Sequence, residues 1–368
     1  MNKVLLGDVA EEVRENYKET DGNPAVVGLE HLIPGEIRLK EWSEDTNTTF
    51  TKAFHKGQVL FGRRRAYLKK AAVASVDGIC SGDITVISAK QDKILPELLP
   101  FVIQNDDFFD FAVGKSAGSL SPRVKWSKLK EYEFNLPSLP QQRKLAKLLW
   151  SFVDAKEAYE DLICQTDELV KSQFIEMFGD PVINDRGWPT KSLKEVAPEY
   201  SPTLPEADLY WWLNLDMIET YSGRLLEKVM AASEEIGNST STFDESMVLY
   251  SKLRPYLNKV FVPDDRGYAT TELVGMKPDS KILNKYFLFN LLRGDQFVAY
   301  ANGLSSGGQM PRIPMKALRD FKCILPPIDL QEQFVETSKQ SDKSKFELNE
   351  AIKDLDAMYK RIIKDNLG

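Results

Sequence analysis

An internal repeat constrains this chain more than any other feature. Residues 59–74 read VLFGRRRAYLKKAAVA, and residues 248–263 read VLYSKLRPYLNKVFVP, 189 positions later and without a gap. Val59/Val248, Leu60/Leu249, Arg65/Arg254, Tyr67/Tyr256, Leu68/Leu257, Lys70/Lys259 and Val73/Val262 are identical, and Gly78/Gly267 follows in register. Three further blocks recur in the same order at offsets of 187 to 190. Residues 6–10 match 193–197, and 121–123 match 310–312. The steps Leu136-Pro137 and Leu325-Pro326 precede Gln141-Gln142 and residues 331–333. One such match arises by chance; four in order do not. The period is far longer than that of a solenoid repeat. What is duplicated is a domain together with its linker.

The linker is legible as helix. Gly and Pro are absent from the 38 residues 141–178 and from the 40 residues 328–367. Each run follows a proline-bearing segment and ends near Gly179 or Gly368, which is the usual helix punctuation. Apolar residues recur at three- and four-residue spacing with charges between. The first run has Leu145, Leu149, Phe152, Tyr159, Leu162, Ile163, Leu169 and Val170; the second has Leu348, Ile352, Leu355, Tyr359 and Ile362. This is the stripe of a coiled coil. Equal length at equivalent repeat positions favours an antiparallel pair over two helices packed separately on their own domains. A helix of 38 residues spans roughly 57 Å, long enough for a spacer. The stripe thins at 338–345, where fraying or a partner is expected.

The remainder is mixed. Short β-rich runs at 82–89, 248–252 and 259–263 alternate with helical runs at 95–111 and 285–300. Turn signals at Asp21-Gly22, Pro34-Gly35, 265–267 and 306–308 separate them. The expected fold class is α+β with a pseudo-twofold repeat. The expected domains are 1–140, a long helix at 141–180, a second globular domain at 181–328 and a second long helix at 329–368. At ~150 residues per domain, the chain has material for this arrangement, and 42% of its 368 residues are hydrophobic.

Charge narrows the function. With 48 Lys+Arg and 55 Asp+Glu, the net charge is −7, which excludes binding to nucleic acid by bulk positive charge. The average hides a local inversion. No acid lies between Asp45 and Asp77, a window holding Arg63, Arg64, Arg65, Lys69 and Lys70. None lies between Glu245 and Asp264, which holds Lys252, Arg254 and Lys259. Each window carries a tyrosine, Tyr67 or Tyr256, two residues after the shared arginine. Basic side chains with an interleaved aromatic suit a DNA surface; a solvated basic hairpin with Tyr in the core is the alternative. A second candidate is the Gly/Ser loop before a basic turn, at 114–127 with Arg123 and Lys125 and at 302–317 with Arg312 and Lys316. Small residues there let backbone N–H groups approach phosphates, and a plain connecting loop is the competing reading.

Catalytic signatures are missing. Gly114-Lys115-Ser116 has Phe109 where a phosphate-binding loop needs glycine. Cys80, Cys164 and Cys323 are far apart and form neither a disulfide framework nor a metal pair, and His31 and His55 are the only histidines. No metal site and no catalytic residue is expected. The N-terminus lacks a signal-peptide core and no apolar run nears the ~20 residues of a membrane span, so a soluble, cytoplasmic protein is expected. The glycosylation patterns at Asn47 and Asn238 then carry no meaning.

The order of globular unit, Leu-Pro entry with Gln-Gln, long helix, Phe178-Gly179-Asp180 exit, second unit, second Leu-Pro entry and second long helix resembles the specificity subunit of type I restriction–modification systems. LPSLPQQRKLAKLL at 136–149, LVKSQFIEMFGDPV at 169–182 and LPPIDLQEQFVE at 325–336 carry the resemblance most specifically, and it covers essentially the whole chain. It implies two target recognition domains, each reading one half of a split double-stranded DNA sequence. It implies that the helical pair sets the gap between halves and scaffolds two modification (methyltransferase) subunits. S-adenosylmethionine and ATP would be bound by those and by restriction (translocase/nuclease) subunits, and this chain would be a non-catalytic subunit. A bacterial or archaeal cytoplasm is implied. A two-headed protein–protein scaffold without DNA contact is the alternative from another class.

Overall fold

The structure, a computed structural model, describes residues 2–18, 24–237 and 239–368. The Asp21-Gly22 turn signal and Asn238 lie outside the described residues. The chain divides into two compact units, Met1–Asp161 with Leu348–Gly368, and Leu162–Glu347. The long helices are unbroken over Leu139–Phe178 and Ile328–Leu367. Each helix therefore gives one end to each unit. The units do not stop where the helices begin, because each globular part buries its apolar face against helix ends.

In the first unit, Val59–Gly62 is buried along its whole length, flanked by Ile84–Ala89 and Ala71–Val73, and Ala10–Val13 closes a four-stranded antiparallel sheet. A second sheet places Gly78–Cys80 between Ala25–Val27, parallel, and Lys52–Phe54, antiparallel. The N-terminal strand Asn2–Leu5 pairs with Glu133–Leu136. One core joins Phe61, Phe101, Phe108 and Phe109 to Leu145, Leu149 and Val153 of the first long helix and to Ile363 and Leu367 of the second. Arg38 fastens the sheet side to the helix: it lies 4.7 Å over the Trp150 ring and pairs with Asp154 and Glu157. Lys156 of the first helix meets Asp356 of the second at 3.2 Å.

The second unit repeats this register. Val59 pairs with Val73 and Ile87 in the first unit; Leu249 pairs with Phe261 and Val248 with Met276 in the second. Phe54↔Gly78 becomes Phe243↔Gly267, again 189 residues on. The strand pair Thr190–Ser192 and Lys322–Ile324 repeats the N-terminal pairing. Gly78 and Gly267 share a physical reason. A Cβ on Gly78 would stand 2.3 Å from the Ala25 carbonyl oxygen, and one on Gly267 2.3 Å from that of Trp211. The parallel neighbour comes too close for any side chain. Phe174 and Phe178 of the first long helix pack on Phe287 and Phe334 with ring centroids 4.9–5.6 Å apart.

The helix stripe differs in part from the sequence reading. Leu145, Leu149 and Val170 are buried, Phe152, Tyr159, Ile163, Leu348, Ile352, Leu355, Tyr359 and Ile362 are half-buried, and Leu162 and Leu169 are exposed, 47% and 64%. The buried stripe of the first helix passes instead through Val153 and then Val170, Phe174 and Phe178. Those last three are four residues apart, which holds them on one face, and Leu162 and Leu169 fall off it. The thin stretch 338–345 is helical throughout. Ser338 is buried there, and Lys345 pairs with Asp167 at 2.6 Å and Asp342 at 2.8 Å.

Candidate nucleic-acid interface

The two sequence candidates in each half, the basic window and the Gly/Ser loop, fold into one place. In the first unit, residues 63–65 and 122–124 run side by side. The Arg65 N–H donates to the Pro122 carbonyl at 2.8 Å, and the Val124 N–H donates to the Arg63 carbonyl at 3.0 Å. In the second unit the Arg254 N–H donates to Pro311 at 2.7 Å and the Ile313 N–H to Lys252 at 3.0 Å. Each loop is closed at its neck. Ala117 and Arg123 exchange two backbone hydrogen bonds, as do Ser306 and Arg312.

A short 3-10 turn carries the tyrosine. It spans Ala66–Leu68 in one unit and Pro255–Leu257 in the other. The residues flanking it, Arg65 and Lys69, and Arg254 and Asn258, all adopt the left-handed conformation, with φ between 48° and 53°. Non-glycine residues rarely go there. The surrounding bonds hold the turn so that Tyr67 and Tyr256 stand out from the surface, 54% and 41% exposed. The alternative of a core tyrosine does not hold at either position.

The basic residues sort into four roles. Arg123 donates two hydrogen bonds to Asp83, with Arg64 3.6 Å and Arg63 4.0 Å from the same carboxylate. Arg64 also donates to Ser121 Oγ at 2.6 Å. Hydrogen bonding from Arg123 holds the Asp83 carboxyl below its usual range, with the Arg64 and Arg63 charges adding to it against the opposing effect of burial. Arg312 and Glu272 repeat the clasp. Sequence reasoning missed these acids, although Asp83 and Glu272 stand at the same 189 offset. Lys70 and Lys259 are structural in a second way. Their ammonium groups donate to the Leu29 and Leu215 carbonyls at 2.7 and 2.6 Å, closing a neighbouring 3-10 turn. Burial lowers the Lys259 pKa against the pull of Asp216. Lys69 pairs with Asp106.

Cationic groups facing solvent complete the corner. Arg65 is exposed, and among the described residues no carboxylate lies within ion-pair reach of it. Arg254 is half-buried, and among the described residues its side chain donates only to the Gln309 carbonyl, from Nη2 at 3.3 Å. Lys125 and Lys316 are exposed beyond the loops and Lys252 is half-buried. Among the described residues no cluster of three or more potential metal ligands exists, and no helix is long and apolar enough to cross a membrane.

Two units of one design, each with a pinned cationic corner and an outstanding tyrosine, define a duplicated α+β protein with two equivalent candidate sites. Comparison with known proteins places it further. The family model for the type I restriction modification DNA specificity domain matches twice, at residues 3–163 and 186–355, and the chain belongs to that family. It is 29% identical over 143 residues to the specificity subunit of the type I restriction enzyme EcoDI of Escherichia coli, covering 36% of this chain and 30% of the relative. It is 25% identical over 272 residues to the specificity subunit of the type I restriction enzyme MjaIX of Methanocaldococcus jannaschii, covering 66% of this chain and 62% of the relative. The matched stretches are thus under two thirds of these relatives' length. In fold it is similar to the S subunit of the type I restriction-modification system of M. genitalium, with a TM-score of 0.57 at 10% identity over 100% of this chain and 96% of the other. A chain solved in work on assembly and conformational transition of a type I R-M system gives 0.56 at 20% identity, over 99% and 97%.

Proposed function

We propose that this chain is the DNA sequence-specificity subunit of a type I restriction–modification complex. Each unit applies its corner to one half of a bipartite double-stranded target. The long helices set the distance between the halves and carry two modification subunits. Those subunits bind S-adenosylmethionine, and restriction subunits add ATP-driven translocation and cleavage. This chain itself performs no chemistry.

The observation that carries the reading is the corner built twice in one register. Exposed cations suit phosphates, and an arginine beside an aromatic suits a base edge in the major groove. The net charge of −7 fits a subunit that relies on local cationic faces while partner subunits enclose the DNA.

The test is Arg65→Ala and Arg254→Ala, each in the reconstituted methyltransferase complex, with methylation scored against single-base variants of both half-targets. Each substitution should affect one half only. A base-reading arginine should cost about 1–3 kcal/mol at one base pair, whereas a phosphate contact should weaken all sequences alike and lower the salt slope by about one. Equal effects on both halves, or none, would refute the assignment.

A further inference from the structure

Each corner carries one feature that charge does not explain. The Gly/Ser loop of the first unit, shut at its neck by the Ala117–Arg123 pair, ends in Leu120, which is 91% exposed. The loop of the second unit, shut by the Ser306–Arg312 pair, carries Met310, 46% exposed. Positive φ at Gly118 in the one, and at Gly307 and Gly308 in the other, turns the chain so that the apolar tip points away from its own core. Leu68, beside Tyr67, adds a further exposed apolar side chain at 41%.

These loops are anchored. Ser121, next to Leu120, accepts the Arg64 Nε hydrogen bond, and the following Pro122 carbonyl accepts from Arg65 N. Met310 precedes Pro311, whose carbonyl accepts from Arg254 N, and the Met310 carbonyl itself accepts from Arg312 Nη1 at 3.3 Å. Exposing an isolated leucine is ordinary on a protein surface. An apolar side chain on a stapled loop at both corners, Leu120 beside the exposed Arg65 and, one register position further on, Met310 beside the half-buried Arg254, calls for an explanation by function.

We infer that Leu120 and Met310 contact the bases of the target and contribute to its sequence specificity; the inference rests on the DNA-binding reading above. The chemistry selects the contact. Neither side chain can donate a hydrogen bond, so neither gains from a phosphate. The apolar surfaces that DNA offers are the thymine methyl group in the major groove and the faces of a partly unstacked base step. Tyr67 and Tyr256, on the same corners, add aromatic faces. Arg65 or Arg254 would supply the charge at the rim, and the apolar tip would sense which base pair lies beneath it.

The two corners then differ by design. Leu120 is branched and stiff; Met310 is unbranched and adaptable. Leu253 of the second unit stands where the first unit has Arg64.

The experiment uses the reconstituted complex and scores methylation on a library varying every base pair of both half-targets. Wild type is compared with Leu120→Ala, Leu120→Gln, Met310→Ala and Arg65→Ala. Leu120→Ala should lower discrimination about fivefold or more at one or two base pairs of one half-target, with the other half and the salt dependence unchanged. Met310→Ala should do the same on the other half. Wild-type discrimination in both variants, or a uniform loss over all sequences, would overturn the inference. If Arg65→Ala shifts the same half-target while the tip variants do nothing, the DNA-binding reading stands and the inference falls. If none of the four variants alters recognition, both fall. Thermal unfolding of each variant, expected at the wild-type midpoint for such exposed positions, ensures that a loss reflects contact and not folding.

Discussion

The Arg123 guanidinium donates two hydrogen bonds to the Asp83 carboxylate, from Nε to Oδ1 at 2.7 Å and from Nη2 to Oδ2 at 3.1 Å. Arg312 and Glu272 make the same paired contact 189 residues later. Asp83 follows the strand Gly78–Cys80 and precedes Ile84–Ala89, so the clasp ties the Gly/Ser loop to the sheet. Arg123 and Arg312, two of the candidate phosphate ligands, thus spend their charge on holding the loop's neck.

Asp83→Asn should therefore loosen the loop. Hydrogen exchange at the Ala117 amide, which donates to the Arg123 carbonyl at 2.9 Å, should speed up by about tenfold, the equivalent of 1.4 kcal/mol. An unchanged rate would show that backbone pairing alone holds the neck. Acid should act in the same direction. The folded-state Asp83 pKa lies below its ordinary value of 3.8. The contribution of the clasp is then fully present above about pH 4, and is lost as pH falls from there through the depressed folded value. Asp83→Asn should remove that part of the acid sensitivity, measured as the slope of unfolding midpoint against pH below 4.

Lys70→Ala and Lys259→Ala should behave as stability variants. Each leaves a main-chain carbonyl, that of Leu29 or Leu215, without its charged donor. The expected cost is about 1–3 kcal/mol, read from urea unfolding, with the salt slope of DNA binding by the complex unchanged. A slope lowered by about one at wild-type stability would return these lysines to the DNA surface.

Here the sequence is instructive in what it hides. The repeat predicts the paired registers, because identical residues at a fixed offset must face identical neighbours. It does not reveal which lysine is internal. Lys69 and Lys70 are adjacent and equally basic, yet the partner of Lys70 lies 41 residues away in the chain. The union of the basic window with the Gly/Ser loop is likewise hidden, since Arg64 and Ser121 lie 57 positions apart. Leu162 and Leu169 fit a heptad by composition alone, and only the packing of Val170, Phe174 and Phe178 shows which face is buried.

Arg65→Gly provides a control for the corner. Arg65 sits at φ 53°, where an L-residue costs roughly 1–2 kcal/mol and glycine does not. Arg65→Gly should unfold at higher denaturant than Arg65→Ala by about 1 kcal/mol, while both lose the same DNA recognition. Equal stability of the two would mean that the left-handed turn relaxes once the side chain is removed.

The long helices permit a test that leaves every described contact within a unit untouched. The units divide between Asp161 and Leu162 in the first helix and between Glu347 and Leu348 in the second. The Lys156–Asp356 pair belongs wholly to one unit and the Lys345–Asp167 pair wholly to the other. Inserting seven helix-forming residues at both points adds two turns, roughly 10.5 Å of helix at 1.5 Å per residue. With about 3.4 Å of duplex per base pair, the gap in the methylated target should lengthen by about three base pairs, and both half-sequences should stay as they were. Insertion in one helix alone should abolish methylation, since the two units would then be joined by helices of unequal length. A changed half-sequence, or a lengthened pair that still methylates with the original gap, would show that the helices do not measure the distance between the two halves of the target.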